Sequence, residues 1–226
     1  MQTKNSIENI PDEALVKLIT QIVLEELQAA NNCKNPSPFC LGAMSYDGNS
    51  NKPYSSVPLV CSLNPKEVVI GVGPAYNTGG ANTISNLSHQ AILSEIKAGI
   101  EEEGMEIRII QVFKSSDVAV IGKEAADLSG SGIGIGLQSK GTAIIHQRDL
   151  QILSNIELFP QAPLLSMAHY RQIGKNAAKY AKGENVTPIA VQNDPMIRAA
   201  YQVKAALMHI KETEKADRNK PSTELE

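Results

Sequence analysis

Val68-Val69-Ile70-Gly71-Val72-Gly73-Pro74 is the stretch that decides the fold. A run without polar side chains, mostly β-branched and closing on glycine and proline, reads as a buried strand entering a loop. Downstream, about His89 to Glu103 reads as a helix, with Ile92, Leu93, Ile96 and Ile100 on one face and Gly104 past its end. Ile107 to Phe113 reads as a second strand and Val118 to Ile121 as a third. Strand, helix and strand at this spacing imply a right-handed crossover and a parallel sheet. Ile133–Leu137 and Ala143–His146 supply further strands. Two helices follow, one from about Ser166 to Lys182 and one opened by Asp194-Pro195 that runs to about Lys211. The expected class is α/β with a mostly parallel sheet, its compact domain covering residues 66–213.

Outward from that domain the composition changes. Residues 1–27 contain an amphipathic helix from Pro11 to Leu27, with Leu15, Leu18, Ile19, Ile22, Val23 and Leu27 along one side. Residues 28–65 are rich in Asn, Ser, Pro and Gly and read as a flexible linker. So short a helix is marginal in water alone, so its stripe meets a partner or folds back onto its own domain. Residues 214–226 read as a polar, disordered tail. The 226 residues are 42% hydrophobic and 20% charged, with formal net charge −3. That balance, without any basic block interleaved with aromatics, argues against nucleic acid. No apolar run approaches the roughly 18 residues that span a bilayer, and the polar, acidic opening does not suggest a secretory signal. Three widely spaced cysteines, Cys33, Cys40 and Cys61, fit reduced thiols in a cytosolic setting better than disulfides or a zinc knuckle.

Candidate chemistry concentrates in four places. Gly130, Gly132, Gly134 and Gly136 alternate with Ser131, Ile133, Ile135 and Leu137, which matches neither a dinucleotide fingerprint nor a Walker loop. One side without Cβ atoms lets either a flat ligand or another backbone come close. Phe113-Lys114-Ser115-Ser116-Asp117 follows a strand, where open α/β sheets place ligands; Asp117 can accept amide hydrogen bonds or cap a turn. Gln138-Ser139-Lys140-Gly141 sets a cation beside glycine, suited to a phosphate or to an exposed loop. Leu153 to Pro163 mixes polar and apolar residues around Asn155 and two prolines, as a ligand cover or a connector would. His89, His146, His169 and His209 fall into no metal-binding spacing, and no nucleophile–base set is adjacent in sequence.

Several blocks in order resemble a known family. They include Val69 to Ala75, Gly99 to Gly104, Phe113 to Val118, Leu128 to Ile133, Ile135 to Thr142, Leu153 to Asn155, Glu157 to Leu165, Tyr170 to Ala177 and His209 to Thr213. Together they look like the medium (beta) subunit of adenosylcobalamin-dependent propanediol and glycerol dehydratases. The resemblance implies a Rossmann-like three-layer domain lying against the dimethylbenzimidazole side of cobalamin. The large subunit would carry substrate, metal and catalytic residues, and this chain none of them. In such enzymes cobalt–carbon homolysis gives an adenosyl radical, and the diol loses water to become an aldehyde. Carried over, Asp117 and Asn155 would bond corrin amides and Lys140 would pair with the nucleotide-loop phosphate. Leu153 and Pro160 would pack on the lower ligand, with Ser116, Gln138, Ser139, Arg198 and Tyr201 as neighbours. The implied partners are the large and small subunits, in a dimer of heterotrimers, and the reactivating factor. The N-terminal helix resembles a targeting peptide that docks on a shell protein, placing the enzyme in the lumen of a bacterial microcompartment. The alternative is the small subunit of the dehydratase-reactivating factor, a chaperone of similar fold.

Overall fold

The computed structural model describes residues 59–78 and 80–225. The expected helix over Pro11–Leu27 and the expected linker as far as residue 58 lie outside them. Residues 59–65 belong to the domain surface: Ser62 N–H donates to Leu128 O at 3.0 Å and Asn64 Nδ2 to Glu106 Oε2 at 2.8 Å.

In chain order the elements are β1 (Glu67–Val72), α1 (His89–Glu102), β2 (Glu106–Gln111), α2 (Val118–Leu128), β3 (Ile133–Leu137), β4 (Ala143–Gln147), β5 (Glu157–Phe159), a 3₁₀ turn (Ala162–Leu164), α3 (Met167–Ala181), α4 (Pro195–Ala200), α5 (Gln202–Glu214) and β6 (Thr223–Leu225). The strands form one open six-stranded sheet in the order β5-β4-β3-β1-β2-β6. Successive right-handed crossovers that travel in opposite directions along a sheet leave their helices on opposite faces. Accordingly, α1 and α3 pack on one face, where Ile92, Ile96, Ile100, Tyr170 and Ile173 meet Val68, Ile70 and Val72. α2 covers the other face, where Ile121 and Ala125 meet Val69 and Ile110. Both faces of β1 are therefore dry, which explains its unbroken apolar run.

Three expectations are corrected. Val118–Ile121 is the first turn of α2, not a strand. The four-residue apolar run fits either element, and Asp117 decides it by accepting from Ala119 N–H at 2.9 Å as N-cap. The sheet is parallel only at its centre, where β1 pairs with β2 and β3. β3–β4, β4–β5 and β2–β6 are antiparallel. For β3–β4 the cause is the tight Gln138–Thr142 turn, which has no room for a crossover; it closes through Gln138 N–H to Thr142 O at 3.0 Å, with Gly141 at φ +97°. The polar tail carries β6, whose backbone pairs with Ile109–Gln111. In addition, the last helix is two, broken at Tyr201 (φ −100°, ψ 2°), and β5 lies within the stretch read as irregular.

At Gly134 and Gly136 the glycine alternation serves packing against α2. A Cβ on Gly134 would enter the α2 backbone at Ala125 and Ala126, and one on Gly136 would lie 2.7 Å from Gly122 N. Gly99 and Gly174 do the same between α1 and α3: a Cβ on Gly99 would lie 3.0 Å from Lys175 N, and one on Gly174 3.1 Å from the Ile96 carbonyl carbon. Ion pairs flank that contact, among them Arg171–Glu95 at 2.7 Å and Lys175–Glu102 at 2.6 Å. Among the described residues, no helix is long and apolar enough to cross a membrane.

Candidate functional site

Open α/β sheets place ligands beyond the carboxyl ends of their parallel strands. Here that end carries a cleft of about 1140 Å³. The segment after β2 gives it Ser116 and Asp117, the turn after β3 gives Gln138, Lys140 and Thr142, and the edge at β5 gives Leu158 and Pro160. Arg198, Tyr201 and His209, from α4, α5 and the break between them, close the far side. Of the ten residues singled out from sequence, Ser116, Asp117, Gln138, Lys140, Pro160, Arg198 and Tyr201 thus line one cavity. Ser139, Leu153 and Asn155 are not part of its wall. Ser139 is 4% exposed and faces a separate void of about 220 Å³ under α5. Leu153, 82% exposed, and half-buried Asn155 sit on the loop between β4 and β5.

The Gln138–Thr142 turn is fixed from several sides. Tyr170 Oη donates to Gly141 O at 2.7 Å, and Ile84 N–H donates to Lys140 O at 3.3 Å. His89 Nε2–H donates to Ser139 O at 2.7 Å, while its Nδ1 accepts from Asn77 N–H at 3.3 Å. These partners assign the neutral tautomer, and burial pulls the imidazole below its usual pKa. The ring stacks on Tyr76 at 4.2 Å between centroids. The turn presents half-buried Lys140 to the cleft. Burial lowers the pKa of its ammonium, opposed by the carboxylates of Glu212 and Asp117.

Gln138 Nε2 donates to Ser116 O, and Ser116 Oγ shares a hydrogen bond with Thr213 Oγ1 at 2.9 Å. Asp117 itself is exposed; capping α2 engages Oδ1 and so combines the cap role with access to the cleft. Two wall atoms, Gln138 Oε1 and Thr142 Oγ1, are buried without a hydrogen-bond partner. Unmet acceptors of that kind are costly unless a ligand or water supplies donors.

Sequence reasoning passed over Glu212 as a residue with a role of its own. It is 1% exposed, and its Oε2 accepts from Ser139 N–H at 3.0 Å and from the Ser139 hydroxyl. Gly73 makes room for it: a Cβ there would sit 2.9 Å from Glu212 Cδ. Burial raises the Glu212 pKa, against the bonds from Ser139 and the charge of Lys140. Glu212 lies inside the His209–Thr213 block of the resemblance, but an acidic residue in a charged helix end gives no sign of burial. Among the described residues, no cluster of His, Cys, Asp or Glu is placed to hold a metal ion.

A family model for the dehydratase medium subunit matches residues 73–187. Among solved structures, the chain is similar to a glycerol dehydratase reactivase at 21% identity, over 53% of this chain and 94% of that one, with a TM-score of 0.44. It is also similar to a diol dehydratase-reactivating factor complexed with ADP and Mg²⁺ at 20% identity, over 61% and 100% of the two chains, with a TM-score of 0.39. At these values neither likeness bears on activity or partners. The family match takes in the strand ends, the Gln138–Thr142 turn and α3, and covers just over half of the chain: the protein belongs to the dehydratase medium subunit family.

Proposed function

We propose that this chain is the medium subunit of an adenosylcobalamin-dependent diol dehydratase, which turns propane-1,2-diol or glycerol into propanal or 3-hydroxypropanal. Its part is to wall in the lower side of cobalamin as a Rossmann-like cover, while the large subunit carries catalysis. The observation that carries this reading is the gathering of seven of the ten expected residues on one cleft. The cleft also fits the chemistry of the group. Lys140 and Arg198 suit a phosphate, and Asp117, Gln138 Oε1 and Thr142 Oγ1 suit amide N–H donors. Leu158 and Pro160 offer apolar surface for an aromatic base. Bound cobalamin supplies the radical chemistry; this chain's residues bind, orient and exclude water. Ser139 acts by holding the turn, and Leu153 and Asn155 act as contacts outside the cleft.

The partners on this reading are the large and small dehydratase subunits, in a dimer of heterotrimers, together with the reactivating factor that services them. The N-terminal helix docks on a shell protein and carries the enzyme into a bacterial microcompartment. Deleting residues 1 to about 30 then leaves activity intact, improves solubility and abolishes encapsulation; lost catalysis would assign that segment to the folded core.

The main test is reconstitution with the large and small subunits, followed by cobalamin binding and turnover of both diols. A charge-assisted hydrogen bond is worth about 1.5–3 kcal/mol, so Lys140→Ala weakens cobalamin about 10- to 100-fold. Unchanged affinity would remove the phosphate assignment. Co-purification with an ATPase-like large subunit, and not with dehydratase subunits, would favour the reactivating-factor role.

A further inference from the structure

The far wall of the cleft differs from the other three sides. Residues 190–214, with α4 and α5, hang between two backbone anchors. Ile189 N–H donates to Glu157 Oε2 at 2.8 Å before the segment, and Asp217 N–H donates to Phe113 O at 2.8 Å after it. Glu212 is the one buried residue between those anchors. The apolar side chains of the segment largely face out, with Met196 76%, Val203 73% and Leu207 56% exposed. Beneath it lie the cleft on one side and the smaller void on the other. Other ties are peripheral and polar: Lys204 Nζ to Ile84 O at 2.6 Å, Ser116 with Thr213, and Gln161 with Asn193. A segment with so little buried apolar contact opens at far less free energy than the core.

We propose that residues 190–214 form a strap over the cleft, latched by seating Glu212 between Gly73 and Ser139, and that the strap lifts to admit the ligand when the carboxylate leaves its seat. Gly73 supplies the space and Ser139 donates twice to Oε2, while Oε1 is buried without a hydrogen-bond partner, so the seat holds the carboxylate on one oxygen only. The latch also joins the two sides of the site. Ser139 is the neighbour of Lys140, and the strap carries Arg198, Tyr201 and His209. Closing the latch therefore sets the cation on the turn opposite the cation on the strap. What enters rests on the cobalamin reading; that the strap lifts does not.

Amide hydrogen exchange on the full-length chain, without cofactor, tests the latch. In Glu212→Ala, amides of residues 196–211 should exchange at least tenfold faster, with those of 68–72 and 133–137 unchanged. Gly73→Ala, whose methyl group evicts the carboxylate, should do the same, and Ser139→Ala, which keeps one of the two bonds, should fall between. If the strap exchanges no faster in any of these variants, or already exchanges only as slowly as the core in all of them, the latch is wrong. The second measurement is uptake of hydroxocobalamin by the reconstituted complex. Faster association with Glu212→Ala supports gating of entry, and equal rates overturn it. If no complex takes up cobalamin, the functional reading falls while an exchange difference still establishes the latch.

Discussion

Replacing Gly99 with alanine puts one methyl group between α1 and α3, and its effect can be worked out in advance. Helix propensity alone favours the change by about 0.8–1.0 kcal/mol, because glycine is the costlier residue in a helix interior. Sterics oppose it. The new Cβ would lie 3.0 Å from Lys175 N and 3.1 Å from the Arg171 carbonyl carbon, where ordinary contacts begin near 3.4 Å. It would come closer still to the Arg171 carbonyl oxygen. All of these atoms are backbone, so no side-chain rotation relieves the clash, and α3 must move as a body. Its buried Tyr170, Ile173 and Ala177 then lose their fit against α1 and the sheet. Overpacking of this kind costs about 1–3 kcal/mol, and a backbone-to-backbone clash belongs at the upper end. The net expectation is a loss of about 1–2 kcal/mol, or a fall in Tm of a few degrees for a domain of this size. Gly174→Ala, facing Ile96 and Ile100 from the other side, should cost a similar amount. Once one methyl group has separated the helices the second finds room, so the double variant should fall short of additivity by at least about 0.5 kcal/mol. Urea unfolding of the four proteins measures all of this. A Gly99→Ala chain more stable than its parent would mean that propensity wins and that the helices are not in limiting contact.

Three further expectations follow from the site and its supports. Asp117→Ala should cost about 1 kcal/mol by uncapping α2, while Asp117→Asn, which can still cap, should cost a few tenths; equal losses in thermal unfolding would deny the cap. His89 is held neutral with a folded-state pKa below 6.5. Its contribution to stability is thus complete above pH 6.5 and drains away as pH falls toward the depressed value. His89→Gln should flatten that limb of the stability–pH curve, and an unaltered slope would show that another group titrates there. Glu157 accepts from Asn176 Nδ2 and Tyr180 Oη, both at 3.0 Å, and from Ile189 N–H at 2.8 Å. Glu157→Ala leaves those donors unpaired and should cost about 2–3 kcal/mol in urea unfolding, with Glu157→Gln less damaging; a neutral Glu157→Ala would mean that water replaces the carboxylate at little cost.

The central β-α-β unit was legible because both of its signals are strong. A two-faced apolar run and a helix with an apolar stripe stopped by glycine leave few alternatives. Val118–Ile121 was not, since four apolar residues fit a strand or a first helical turn and only the Asp117 bond decides. The outer strands were hidden for a different reason. β6 has three residues in a polar tail and forms because β2 offers it a free edge, a fact about β2 and not about the tail. Within the site, Ser116, Asp117, Gln138, Lys140 and Pro160 meet at one cleft because the ends of strands fix where their loops lie. Leu153 and Asn155 lie apart from that cleft, because the hairpin following β3 carries their loop away from it. Glu212 shows the limit most sharply: its burial depends on a glycine and a serine more than seventy positions away.

The two borders of the sheet have a consequence for the chain while it waits for partners. β5 and β6 contribute three residues each, so an approaching strand finds only a short ladder to extend. Removing the chain from Thr223 onward would bare Ile109, Ile110 and Gln111 on a parallel core strand and offer them to the same strand of another molecule. Pairing by Thr223–Leu225 thus caps, in the folded domain, an edge that would otherwise be open to a second copy.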